Sequence, residues 1–109
     1  MVPATLAECF QALNEELGPE GQIELRSVVR EDLVTTHHSL GRWIRNTWGL
    51  WKDGPLMSHM KELGFTHPDD MSSSIIKEYW LQLNGLPSEL EQDKVEYKAY
   101  WDKVEKDSQ

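Results

Sequence analysis

EDLVTTHHSLGRWIRNTWGLW, residues 31–51, carries the pattern on which the fold reading turns. Leu33, His37, Leu40, Ile44 and Trp48 recur every three or four residues, the period of one face of an α-helix. The spacing predicts a helix over Glu31–Thr47, ended by Gly49 and the Lys52-Asp53-Gly54 turn. Gly41 inside that helix is unfavourable by ~1 kcal/mol relative to Ala. Its presence points to close approach by another backbone or a large ring. His37 falls on the inward face and reads as a core histidine with one ring nitrogen bonded to a carbonyl.

The same period extends outward in both directions. Thr5 and Glu8 form a capping box ahead of Leu6, Phe10, Leu13 and Leu17, and Gly18-Pro19 stops that run. Pro19 can open a second short helix carrying Ile23 and Leu25. Pro55 starts a helix with Leu56, Met60 and Leu63 on one side, closed by Gly64. His67-Pro68-Asp69-Asp70 opens another, with Ile75, Ile76, Tyr79, Trp80 and Leu83, ending at Asn84-Gly85. Ser88 and Glu91 form a second capping box before a last helix with Leu90, Tyr97, Trp101 and Val104 inward, and the tail from Lys106 should fray. The expected fold is all-α, a single compact domain of five or six packed helices over residues 1–109. Leu40, Ile44, Trp48, Ile76, Trp80 and Trp101 are expected to meet in one core cluster.

Composition narrows the function classes. The chain has 109 residues, with five Trp, three Tyr and two Phe to build a core. No apolar run approaches the ~20 residues that span a bilayer. The first residues lack the basic and apolar regions of a secretion signal. Cys9 is the single cysteine, which excludes an internal disulfide and a cysteine-based zinc site and fits a reducing cytoplasm. The net charge of −8 argues against nucleic acid and anionic membrane as targets. Six cations and three anions between Arg26 and Lys61 nevertheless leave a basic centre between acidic flanks.

Within that centre, α-helical projection puts His38, Arg42 and Arg45 on one face. Two guanidinium forks there suit a carboxylate or phosphate, and they suit the chain's own Asp69 and Asp70 equally well. Trp48 belongs to the apolar stripe, whereas Trp43 lies beside the basic face and is the better contact residue. His37 and His38 are adjacent and point about 100° apart on a helix, a poor start for a metal site, so no metal or cofactor is expected. His67 and Asp70 could do acid–base work, but no nucleophile or phosphate loop accompanies them, and no enzyme activity is expected.

HHSLGRWIRNTWGLW followed by FTHPDDMSSSIIKEYWLQLNG resembles a small, uncharacterised bacterial domain family. The resemblance spans roughly Glu31–Gly85 and rests on the histidine pair leading into LGRWIRNxWGLW and on the HPDDMS element. It carries no activity with it. It implies that His38, Gly41, Arg42, Arg45, Asn46, Trp48, His67, Asp69 and Asp70 form one constellation.

The candidate binding residues are therefore His38, Arg42, Trp43, Arg45, Asn46, His67, Asp69 and Asp70. The first expectation is a cytoplasmic binding protein that acts on another protein, of inhibitor or immunity type in bacterial or phage conflict. The alternative is a small-ligand module that holds a phosphate- or nucleotide-like anion at Arg42 and Arg45. The two separate on where those guanidinium groups point.

Overall fold

A computed structural model describes residues 2–107. Its helices are α1 (Leu6–Ser27), α2 (Leu33–Thr36), α3 (Arg42–Thr47), α4 (Pro55–Glu62), α5 (Pro68–Leu83) and α6 (Leu90–Asp107). A 3-10 turn at Arg30–Asp32 leads into α2, and a π turn at His37–Gly41 joins α2 to α3 in one rod. There is no strand among the described residues. The fold is all-α, as the periodicity predicts. Of the expected frayed tail, Lys106 and Asp107 complete α6, and Ser108 and Gln109 lie outside the described residues.

Local chemistry accounts for most element ends. The Thr5 hydroxyl accepts from the Glu8 N–H at 3.2 Å, and the Glu8 carboxylate reaches back to the Ala4 N–H at 3.3 Å. Gly18 adopts φ 66° and ψ 178°, a left-handed φ that breaks α1 before Pro19 restarts it. At the start of α6 the expected box is replaced. Ser88 Oγ accepts from the Leu90 N–H at 3.2 Å, and the buried Glu78 carboxylate of α5 accepts from the Ser88 hydroxyl and from the Glu89 N–H. A carboxylate from a neighbouring helix thus accepts from the α6 entry in place of Glu91, at the Glu89 N–H and the Ser88 hydroxyl rather than the Ser88 N–H.

α5 is the central element, packed against α1, the π turn, α3 and α6. Met71, Ile75, Ile76, Tyr79 and Leu81 on it are essentially inaccessible and meet Leu13, Ile44 and Phe65. Tyr79 and Trp80 keep their polar ends satisfied. The phenol donates to Asn14 Oδ1 at 2.6 Å and the indole to the Val28 carbonyl at 2.8 Å.

Of the six residues expected to share the core, Ile44, Trp48, Ile76 and Trp80 are buried there and Leu40 packs half-buried against them. Trp101 does not join them. It sits at the N-terminal end of α5, half-buried against His67. The apolar stripe of α6 meets the body at Leu90 and Tyr97 and then runs on to Val104, which is exposed. His37 also differs from expectation: its Nε2 is buried with no hydrogen-bond partner among the described residues. Burial first, then the charges of His38, Lys77 and Arg45, lower its pKa below the usual imidazole value.

Candidate functional site

The π turn falls on His37–Gly41, inside the motif that stood out in the sequence. A π turn accommodates about one extra residue, so it rotates the downstream residues by up to one α-helical step of about 100° relative to an unbroken helix. His38 and Arg42 are exposed, while the Arg45 side chain is only 15% exposed and turns toward α5. The shared face projected for His38, Arg42 and Arg45 does not form.

Arg45 is held by the start of α5. Its Nη1 donates to Ser72 Oγ at 2.9 Å, and its Nε lies 3.3 Å from Asp69 Oδ1. The Nε contact is an ion pair without hydrogen-bond geometry. The Asp69 side chain is 77% exposed, so the pair is largely solvated. Gly41 makes this possible: a Cβ there would lie 3.1 Å from Arg45 Nη1 and 3.5 Å from Ser72 Oγ. The close approach expected at Gly41 is real, and side chains make it rather than a backbone or a large ring. At least one Arg–Asp pair forms, as the sequence suggested, and Arg42 takes no part in it.

Beside this contact stands Trp51, which is 59% exposed yet tethered. Its indole N–H donates to Asn46 Oδ1 at 2.9 Å, and the Arg45 guanidinium lies 5.7 Å from its ring centroid. Trp43 packs half-buried against the core, with its ring edge-on to Trp48 at 5.6 Å between centroids. It is less available for contact than its place off the apolar stripe suggested, and Trp51 is more so.

His67 and Asp70 belong to a second arrangement. The His67 ring stacks on Trp101 at 3.5 Å with 9° between planes, and the Trp101 indole donates to Asp70 Oδ2 at 2.7 Å. His67 Nδ1 shares a hydrogen bond with the Thr66 hydroxyl at 2.8 Å. These rings form the floor of a groove of about 710 Å³ between the α4–α5 connection and α6. Gly64, Lys94 and Lys98 line it as well. Of the eight candidate residues, Arg45, Asn46 and Asp69 fall in the first arrangement and His67 and Asp70 in the second, while exposed His38 and Arg42 and the core-packed Trp43 join neither. No group of three or more His, Cys, Asp or Glu among the described residues could hold a metal ion.

Sequence reasoning missed one charged network entirely. Glu89 accepts from Arg30 at 2.8 Å and lies 3.1 Å from Lys77 Nζ, which also contacts Asp93 at 2.7 Å. The hydrogen bond from Arg30, joined by that from Lys77, holds the Glu89 carboxyl down at about 2. Arg30 also lies over the Trp80 ring at 5.4 Å. The network ties the 3-10 turn, α5 and α6 together. Its members come from three separate segments, and no local spacing announces such a set.

The model of one family, a domain of unknown function (DUF6794), matches residues 2–83, and the chain belongs to that family. The match includes α1, well beyond the stretch whose motifs carry the resemblance, and it ends before α6. No curated protein and no solved structure matches the chain.

Proposed function

We propose that this DUF6794 protein is a cytoplasmic protein-binding module of inhibitor or immunity type in bacterial or phage conflict. It meets its partner through the outer face of the α2–α3 rod and the turn after it. The observation that carries this reading is the tethered Trp51. A large indole left 59% exposed yet fixed by Asn46 and Arg45 loses little further freedom on binding, as interface anchors do. Exposed Arg42 and His38 lie on the same rod, within a stretch where cations outnumber anions six to three. The partner's complementary surface is therefore carboxylate-bearing. The buried free Cys9, with its thiol pushed up to about 12, is compatible with a reducing compartment. With Arg45 engaged by Ser72 and Asp69, the two-fork anion site has lost one of its forks, and the small-ligand reading is the weaker one.

The test is quantitative affinity capture from the native host, using the wild-type chain and the Trp51→Ala and Arg42→Glu variants as baits. Both positions are exposed, so both variants should keep the wild-type fold. The expected result is a protein enriched by the wild type and lost with either variant. Equal capture by all three baits would place the contact elsewhere.

A further inference from the structure

Among the α6 residues that line the groove are Lys94, Lys98, Trp101 and Glu105. Their spacings of four, three and four residues read the same in both directions along the helix. We infer that α6 is a self-association helix, and that a second copy of this chain lies antiparallel along the groove about a two-fold axis. Reversal sets Lys94 against Glu105 of the partner subunit and Lys98 against Trp101 of the partner subunit, and the symmetry repeats each pairing. A parallel arrangement would instead set Lys94 against its own copy, and likewise Lys98 and Glu105. Like charges meeting in this way select against it. The order of charges along α6 therefore specifies one orientation.

The geometry of the groove fits this occupant. Its floor, the His67–Trp101 stack with Tyr97 beside it, is concave and aromatic. Lys98 is bridged to Asp102 at 3.0 Å, but the two side chains are 74% and 59% exposed, so the bond is weak. The ammonium can move over the partner's indole without the loss of a buried contact. Gly64 has φ 104°, and a Cβ on it would sit 2.6 Å from the Lys94 stem, so the glycine lets Lys94 lie low along the groove wall. None of Trp51, Arg42 and His38 lines the groove, so this surface is separate from the Trp51 face. A contact built on one helix face is modest in area, and the dimer should be weak and salt-sensitive.

The experiment is sedimentation equilibrium of the full chain from micromolar to near-millimolar concentration, at low and high salt. A monomer–dimer equilibrium that weakens with salt is expected. Glu105→Lys should weaken it by at least about tenfold, because a lysine then faces Lys94 of the partner subunit. Adding Lys94→Glu exchanges the two signs and should recover most of the loss. Lys98→Glu, at an exposed position off the groove floor, should also weaken the dimer, and circular dichroism checks that each variant keeps its helices. Trp51→Ala should leave the equilibrium unchanged, which separates this contact from the proposed partner face. A chain that stays monomeric over the whole range overturns the inference. So does a dimer indifferent to both Glu105→Lys and Lys98→Glu.

Discussion

Arg45→Ala is the perturbation that best tests how the start of α5 is held. The guanidinium makes two contacts of different worth. The bond from Nη1 to Ser72 Oγ, 2.9 Å long, joins a side chain 15% exposed to a serine with no accessible surface. A hydrogen bond to a charged group contributes about 1.5–3 kcal/mol. The ion pair with Asp69 is open to solvent on the aspartate side, and such pairs contribute about 0.2–1 kcal/mol. Ser72 keeps its own bond to the Asp69 carbonyl at 3.1 Å, so the serine is not stranded when Arg45 is removed. Arg45→Ala should therefore cost about 2–3 kcal/mol, and Asp69→Ala less than about 1 kcal/mol. Urea unfolding followed by tryptophan fluorescence and circular dichroism measures both. The double-mutant cycles supply the sharper test: coupling above about 1 kcal/mol for Arg45 with Ser72, and below it for Arg45 with Asp69. A coupling of about 3 kcal/mol or more between Arg45 and Asp69 would mean a dry, buried pair and would refute this reasoning.

Gly41→Ala should be non-additive with Arg45→Ala. In the truncated background the new methyl meets less crowding, and stability should rise by about 1 kcal/mol from helix propensity, more than in the wild type; equal effects in both backgrounds would show that Arg45 does not crowd Gly41. Trp80→Ala should cost about 3–5 kcal/mol, since the ring is 7% exposed and its N–H is bonded to Val28; melting within a degree or two of wild type would contradict its place in the core. The depressed Glu89 pKa gives a definite acid signature. The folded form holds its proton less tightly than the unfolded form, so the contribution is complete above about 4.5 and is lost as pH falls toward about 2. The stability difference between wild type and Glu89→Gln should shrink across that window, and a constant difference would mean that Arg30 and Lys77 do not hold the carboxylate.

The residues themselves determined the helical class, the break at Gly18-Pro19, the Thr5–Glu8 cap, the start of α5 at His67-Pro68 and the burial of Ile44, Trp48, Ile76 and Trp80. Each of these arises from neighbours within a turn or two, where spacing and side-chain chemistry act directly on the backbone. The constellation was legible in part, because Arg45 does reach Asp69, although no local rule separated Arg45 from Arg42. Only the tertiary structure decided the π turn at His37–Gly41, which lets Gly41 and Arg45 both face Ser72. Tertiary packing also drew Trp101 out of the core onto His67 and Asp70, and gathered Arg30, Lys77, Glu89 and Asp93 from three segments. Helical periodicity assigns a side chain to a face, but which neighbour that face meets depends on the lateral register of whole helices, and that register is set by the fit of side chains far apart in the chain.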